Sequence, residues 1–214
     1  MWGFMKKMIL FLSSLLFFEP LFADTGIYTY SKSGNIFFYS KKEDRVLQLT
    51  NLGKNKHAIL SPNGRYIVYI KKSNFVAPSN CFYFYTKGDH ADEIWIADLS
   101  NMKKRLLVYP TFDCDDVSKD TMDPHHLIFS PHGKTIYFET SAWVTSGAVH
   151  AVDVDGKNSR FVIDGTELRI VQAGRYKGDL IVNQHRYHDK GGSYNWDWLF
   201  TPAGKQVKLY KKED

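Results

Sequence analysis

Acidic and imidazole side chains are concentrated in one short stretch of a basic chain of 214 residues, whose formal net charge is +5. The stretch contains Asp113, Asp115, Asp116, Asp120, Asp123, His125 and His126. Carboxylate oxygens are the ligands that Ca²⁺ prefers, and His90 or His188 would add a nitrogen ligand suited to a transition metal. The spacing does not match an EF-hand, because Ser118 stands where that loop needs glycine. Two interpretations remain: a calcium site at Asp113, Asp115 and Asp116, or a solvated acidic loop that holds no cofactor.

Aromatic residues form a second group of candidate contact residues. They are Phe82, Tyr83 and Tyr85 in one segment, Trp143 in a second, and Tyr187, Tyr194 and Trp196 in a third. Aromatic side chains combine a large apolar surface with a polar edge, which is typical of surfaces that bind proteins or carbohydrates. For residues 82–85 the alternative is an additional strand that packs within its own segment.

Signatures of enzymatic chemistry are absent from the sequence. It contains no Gly-x-Ser-x-Gly nucleophile elbow, no His-Glu-x-x-His zinc motif and no glycine-rich phosphate loop. His185, His188 and Asp189 are able to transfer protons, but isolated loop histidines are more often solvated polar residues. We therefore assign no catalytic residue from the sequence.

The amino-terminal segment has the three-part layout of a secretory signal peptide. Lys6 and Lys7 precede an apolar run over residues 8–18, and the small residue Ala23 follows Glu19-Pro20. The run is well short of the ~20 residues that a bilayer span needs, although a retained anchor is the alternative. We expect residues 1–23 to be removed, which leaves one periplasmic or secreted domain over residues 24–214 with no membrane span. Its lysines are scattered and form no basic stripe with aromatics, so nucleic acid is not an expected partner.

Two internal repeats organise the rest of the chain. The pattern apolar-apolar-Ser-Pro-x-Gly-basic-x-Ile-x-aromatic occurs at residues 59–69 and again at 128–138. A later hairpin pattern occurs at residues 93–108 and 149–163. Proline and glycine suit the tight turn between two strands, so each repeat predicts a four-stranded antiparallel unit. Radial stacking of such units predicts an all-β propeller of about four blades, the first of them incomplete.

These motifs resemble the blades of the TolB-type β-propeller repeat family. That family's blades read roughly as apolar-Ser-Pro-Asp-Gly-Lys-x-Ile-apolar-Phe, then a loop, then apolar-Tyr-apolar-x-Asp and a terminal Leu-Thr. The match covers residues 59–163 well, with Asn63 and His132 where the family prefers aspartate, and Leu49-Thr50 echoes the terminal pair. About four blades are fewer than the six that TolB implies, and the family's amino-terminal domain is absent. The resemblance therefore implies the scaffold and transfers no specific interaction.

Propeller topology also predicts where the candidate residues lie. In such a unit the connection between the second and third strands and the connection to the next blade emerge on the same face. That face receives the insertions at residues 72–92, 109–125, 140–147 and 184–195. Cys81 lies in the first insertion and Cys114 in the second, and an exported protein can keep a disulfide between them. Two free thiols are the alternative.

Three functions remain open from the sequence. The first is a binding scaffold for a protein or peptide of the cell envelope, with contacts made by the aromatic insertions. The second is a binder, hydrolase or lyase of glycan or cell-wall fragments, assisted by a metal. The third is a structural subunit whose ring is completed by a homo-oligomer or a partner, with the edges at residues 27–30 and 206–210 buried.

Overall fold

A computed structural model of the chain describes residues 26–81 and 85–212, which form four antiparallel sheets of consecutive strands. Blade 1 has three strands, β1 (Ile27–Lys32), β2 (Asn35–Ser40) and β3 (Arg45–Gln48). Blade 2 has β4 (Asn55–Leu60), β5 (Tyr66–Val76), β6 (His90–Asp98) and β7 (Lys103–Val108). Blade 3 has β8 (His125–Phe129), β9 (Thr135–Trp143), β10 (Ser146–Asp153) and β11 (Arg160–Asp164). Blade 4 has β12 (Thr166–Ile170), β13 (Leu180–Tyr187), β14 (Ser193–Phe200) and β15 (Gln206–Lys212). The predicted all-β propeller with an incomplete first blade is confirmed.

Helix is almost absent from the described ranges. They contain a single 3-10 turn at Val117–Lys119, and no helix in them is long and apolar enough to cross a bilayer. The predicted signal peptide and the predicted contact residues Phe82 and Tyr83 lie outside the described residues.

The Ser-Pro-x-Gly motif forms the turn between the first two strands of blades 2 and 3, as predicted. The Ser61 hydroxyl accepts a hydrogen bond from the Tyr66 N–H at 2.9 Å, and the Ser130 hydroxyl accepts one from the Thr135 N–H at 3.1 Å. The glycine of the blade 2 turn, Gly64, has a φ of 69°, which residues with a Cβ rarely adopt. The motif thus fixes the hairpin through both its side chain and its backbone.

Side chains that alternate along each second strand join one blade to the next. On β5, Ile67 packs with Phe38 of blade 1, whereas Val68 packs with Phe138 of blade 3. A third apolar cluster joins blades 3 and 4. Among the described residues no apolar cluster joins blade 4 back to blade 1, so the blades form an open series.

The first strand of each complete blade carries a bulge at the same place. His57, His126 and Glu167 have φ values of 51°, 47° and 54°, and the register with the second strand shifts at each of them. All three side chains are exposed, while the next residue in blades 3 and 4, Leu127 or Leu168, is buried in the core. The bulge therefore turns one side chain of the first strand towards solvent and the next side chain towards the core.

A second repeated contact ties the outer rims of neighbouring blades together. The Arg105 guanidinium on β7 donates a hydrogen bond to the carbonyl of Val154, in the β10–β11 turn of the next blade. One blade further on, Arg160 on β11 donates to the carbonyl of Pro202 at 3.5 Å, in the β14–β15 turn. The same arrangement thus occurs at two successive joints.

Two of the four segments expected to be insertion loops are extended strands. β9 continues to Trp143 and β10 begins at Ser146, so residues 140–147 form a hairpin with a two-residue turn. In blade 4, β13 continues to Tyr187 and β14 begins at Ser193. The loop prediction was wrong there because polar residues ended the apolar pattern, whereas the strands continue by backbone pairing, which does not need that pattern.

Candidate binding groove

The predicted disulfide is present and joins the β5–β6 connection to the β7–β8 connection. Cys81, between β5 and β6, is bonded to Cys114, between β7 and β8, with their Cα atoms 5.4 Å apart. Cys81 is fully buried. The bond closes a loop with a sequence separation of 33 residues, which limits how far the unfolded chain can spread.

A half-buried tyrosine and two aspartates lie next to this disulfide. The Tyr85 hydroxyl is 3.2 Å from an Asp120 carboxylate oxygen and 3.0 Å from one of Asp123. The Tyr85 ring packs with Met122 and Phe112. Burial, followed by the two carboxylates, raises the pKa of Tyr85 far above its ordinary value. Tyr85, which was predicted as a contact residue, is half-buried against a small apolar cluster.

Asp120 is an unusual carboxylate within this cluster. It is 1% exposed, and its Oδ2 has no hydrogen-bond partner in the described part of the chain. Burial raises its pKa to about 6, against the lowering effect of the Met122 N–H, which donates to Oδ1 at 2.9 Å. The group therefore takes up a proton at a pH where an exposed aspartate is fully ionised.

Two of the three predicted calcium ligands, Asp113 and Asp116, use their carboxylates in the local turn. One Asp113 oxygen accepts hydrogen bonds from the backbone N–H groups of Asp115 at 3.1 Å and Asp116 at 2.8 Å. Asp116 caps the 3-10 turn, and its hydrogen bond with Lys119 lowers its pKa. Within residues 26–81 and 85–212 no three His, Cys, Asp or Glu residues are grouped as a metal site requires. Calcium binding at this segment stays a prediction that the geometry does not strengthen.

An open groove lies where the hairpins of blades 3 and 4 approach the 3-10 turn. Its volume is about 560 Å³, and its walls include Asp116, Trp143, Phe161, Asp164, His185 and Tyr187. Two residues predicted to bind a partner, Trp143 and Tyr187, meet here with one predicted metal ligand, Asp116. We call this feature the hairpin groove.

Exposed aromatic rings and carboxylates define the surface of the hairpin groove. Trp143 is 41% exposed, Phe161 37% and Tyr187 71%. Trp143 packs edge-on against Phe161, with ring centroids 6.5 Å apart, and Tyr187 packs edge-on against His185 at 5.0 Å. Two carboxylates lie in the wall, and no lysine or arginine is among its described residues. Asp116 is ion-paired with Lys119 at 2.7 Å, so the groove is aromatic and carries one carboxylate outside that pair, Asp164.

A buried histidine supports the groove from below. His150 is 3% exposed, stacks on Phe138 with centroids 5.3 Å apart, and contacts the edge of Phe161 at 5.8 Å. Its Nε2 lies 3.1 Å from the Thr140 hydroxyl. Burial lowers the pKa of His150 to about 4, so the imidazole is neutral near pH 7. It acts as a packing residue that holds Phe161 in place.

The remaining predicted contact residues, Tyr194 and Trp196, lie outside the groove wall. They follow each other on one face of β14, with ring centroids 4.1 Å apart, and His188 packs on Tyr194 at 4.5 Å. Arg186, on the same face of β13, lies 3.9 Å above the ring of Trp198. The rings of Tyr194 and Trp196 are thus packed against other side chains of blade 4.

Three groove residues, Phe161, Asp164 and His185, were not predicted as contact residues from the sequence. Phe161 and Asp164 belong to β11, the outermost strand of blade 3; the predicted hairpin included Phe161 but ended at residue 163. The signal that marks Phe161 is its position in the repeat, since it stands beside Arg160, the counterpart of Arg105. A large aromatic residue on an outer strand needs a cover or a ligand.

Comparisons with known proteins support the fold. No family model and no curated protein matches the chain. Dipeptidyl peptidase 4 from Porphyromonas gingivalis matches with a TM-score of 0.62 and 10% identity, over 88% of this chain and 31% of that one. The β-propeller domain of the Trilobed protease from Pyrococcus furiosus matches with a TM-score of 0.52 and 12% identity, over 87% and 54%. TolB from Acinetobacter baumannii matches with a TM-score of 0.50 and 15% identity, over 86% and 40%. This chain therefore spans between a third and about half of these propeller proteins, and the likeness is one of fold.

Proposed function

We propose that this chain is an exported propeller scaffold that holds a segment of a partner protein or peptide of the cell envelope in its hairpin groove. The observation that carries the proposal is the meeting of Trp143, Phe161 and Tyr187, all partly exposed, in one groove. Aromatic side chains supply most of the energy at many protein contacts, because they bury a large area with few rotatable bonds. The Cys81–Cys114 disulfide and the signal-like amino-terminal segment support export.

The groove is built on strands and is therefore already formed before a partner arrives. Trp143 and Tyr187 are the last residues of β9 and β13, so their backbones are held by the sheet. Preformed contact residues lose less conformational entropy on binding than residues of a mobile loop. The scaffold thus suits recognition of a short segment by a few aromatic contacts.

The charge of the groove indicates which segment it prefers. Asp116 and Asp164 lie in the wall, and Asp164 Oδ1 accepts a hydrogen bond from Gln184 at 3.0 Å. Asp116 is already paired with Lys119, so a lysine or arginine next to an apolar residue would place its cation beside Asp164 and its neighbour against Trp143. The expected ligand is a segment that combines apolar and basic residues.

Photo-crosslinking in the cell envelope tests this function. A photoreactive phenylalanine derivative at Tyr187 is expected to crosslink to a defined partner, whereas the same group at Tyr210, which is 51% exposed on β15, is not. The crosslinked segment is then made as a peptide, and its affinity is measured by calorimetry. Trp143→Ala is expected to weaken binding about tenfold or more, as for a central contact residue.

Val144→Ala is the matched control for Trp143→Ala. Val144 is 74% exposed at the tip of the same hairpin, so its truncation tests the hairpin without removing a groove contact. Equal crosslinking from Tyr187 and Tyr210, or equal affinity of the wild type and Trp143→Ala, would contradict the proposal. Amino-terminal sequencing of the protein from the cell envelope tests export, with Asp24 as the expected first residue.

A further inference from the structure

The two ends of the blade series have opposite chemistry. Each sheet face that points towards another blade of the series is covered by the neighbouring sheet. The far face of blade 1, which points away from blade 2, has no cover among the described residues. That face consists of Tyr28, Tyr30, Phe37, Tyr39 and Val46, and we call it the aromatic end face. Tyr28 is 58% exposed, Tyr30 42% and Val46 53%. The corresponding faces of blades 2, 3 and 4 are buried against the preceding blade.

The rings of the aromatic end face are held flat against the sheet. Tyr30 stacks on Phe37 with centroids 5.3 Å apart and an interplanar angle of 11°. Tyr28 stacks on Tyr39 at 6.4 Å, across the same pair of strands. Cross-strand aromatic pairs of this kind stabilise the sheet, and they also create an even apolar surface. Such a surface marks an interaction site when nothing else covers it.

The far face of blade 4 combines the buried apolar residues Ile181 and Leu199 with a polar network. The Arg169 guanidinium bonds to Asp197 at 2.5 Å, and the Asn183 amide donates to the other Asp197 oxygen at 3.1 Å. Asp197 is 3% exposed, while the Arg169 side chain stays 48% exposed. We call this network the polar end face.

The positions of the polar end face are apolar in an inner blade. By register, Arg169, Asn183 and Asp197 correspond in blade 2 to Ile59, Ile70 and Ile94. Those isoleucines pack in the cluster that joins blade 2 to blade 3. Terminal units of repeat proteins carry polar outer faces because no further unit covers them. Blade 4 thus has the chemistry of a terminal cap, and blade 1 does not.

We propose that the aromatic end face binds a second copy of this chain across a twofold axis. Closure of a ring by head-to-tail contact would place the aromatic end face on Arg169, which would lose its water without a new partner. In a twofold interface the same patch meets itself, and the aromatic residues carry no charge that would repel its copy. The observations therefore favour contact between two blade 1 faces.

Charges at the two ends of the face fix the orientation of the copies. Lys32 lies at one end, on the same side of β1 as Tyr30, and has no ion-pair partner in the described ranges. Asp44 lies at the other end, where it accepts a hydrogen bond from the Tyr39 hydroxyl at 2.8 Å. A twofold axis in the interface, perpendicular to the strands, brings Lys32 of each copy towards Asp44 of the other. Because the axis is twofold, the two Lys32–Asp44 pairs between the copies form together or not at all.

The size of the face indicates a reversible dimer. Strands of six residues at ~3.3 Å per residue and three strands at ~4.8 Å spacing give a flat area of roughly 300 Å² per copy. For two copies this is about 600 Å², below the ~1,200 Å² of stable interfaces, so we expect a weak, transient dimer with a dissociation constant on the order of 100 micromolar.

Sedimentation velocity of the purified exported protein, from about 1 to about 200 µM, tests the proposal around the weak affinity expected for a small interface. The wild type is expected to shift from monomer to dimer over this range, and Tyr30→Glu to remain a folded monomer whose melting temperature is lowered only by the loss of its stack on Phe37. Tyr210→Glu on blade 4 is the control and is expected to dimerise like the wild type. A wild type that stays monomeric throughout overturns the proposal. So does a dimer that Tyr210→Glu abolishes and Tyr30→Glu leaves intact.

A charge exchange tests whether the partner is a second copy in this orientation. Lys32→Glu and Asp44→Lys each place like charges together at both ends, so each homodimer is expected to weaken about tenfold. An equimolar mixture of the two variants restores both unlike pairs and is expected to dimerise as the wild type does. A mixture no stronger than either variant alone overturns the proposed orientation.

Discussion

Acidification is expected to act on this protein through two buried groups with opposite effects. The pKa of His150 is lowered to about 4 by burial, below the 6.5 of an unperturbed histidine. As the pH falls below 6.5, the unfolded chain therefore takes up this proton before the folded chain does, and stability is lost until about pH 4. Burial raises the pKa of Asp120 to about 6 from 3.8. Here the folded chain takes up the proton first, so stability is gained as the pH falls through 6 and levels off below 3.8.

The two contributions can be compared between about pH 7.5 and about pH 5. Proton linkage gives a loss of about 2 kcal/mol from His150 and a gain of about 1 kcal/mol from Asp120. In the wild type they largely cancel, leaving a net loss of about 1 kcal/mol or less from this pair. The effect of each group on the pH dependence of the unfolding free energy can be measured only in a variant that lacks the other group.

Urea unfolding at the two pH values measures this difference in the wild type and in two variants. His150→Gln, which keeps a polar contact for Thr140, is expected to lose about 2 kcal/mol less on acidification than the wild type. Asp120→Asn keeps the acceptor for the Met122 N–H and is expected to lose about 1 kcal/mol more. The change with pH is compared, so a general loss of stability in either variant does not affect the result. If both variants follow the wild type, the argument that burial shifts these two groups is refuted.

Two further perturbations test the structure itself. Replacing Cys81 and Cys114 together by serine is expected to lower the unfolding free energy by about 4 kcal/mol, because the closed loop spans 33 residues; urea unfolding with and without reductant measures this. Gly204→Ala is expected to lower the melting temperature more than Gly174→Ala does. Both glycines have a positive φ, but only at Gly204 would a Cβ collide with the carbonyl of Val162, and equal shifts would contradict that.

Much of the fold is encoded in local sequence patterns. The Ser-Pro-x-Gly turn at residues 61–64 acts through its own side chain and backbone, so it is recognisable without knowledge of the rest of the fold. The ends of β9 and β13 were not predicted, because the strands continue there by backbone pairing after the apolar pattern has stopped. The bulge at His126 was also missed, since a histidine with a positive φ leaves no mark in the pattern of apolar residues.

The candidate site was predictable only in part. The disulfide followed from topology, because two connections on the same propeller face must be neighbours. Trp143 and Tyr187 were correctly placed near each other by the same argument. Tyr85 could not be distinguished from them by residue type, and only its buried contacts with Asp120 and Asp123 separate it. Residue type identifies a possible contact residue, whereas burial decides whether it is available.

The hydrogen bonds along the outer rim explain how an open series of blades keeps its shape. In a closed ring the angle between neighbouring sheets is imposed by the need for the last sheet to meet the first. Without closure, each joint has to specify its own angle. Apolar clusters fix the middle of all three joints, and the guanidinium groups of Arg105 and Arg160 fix the outer edge of the last two. Two fixed points determine an angle, so the curvature from blade 2 to blade 4 is a local property of each of these two joints.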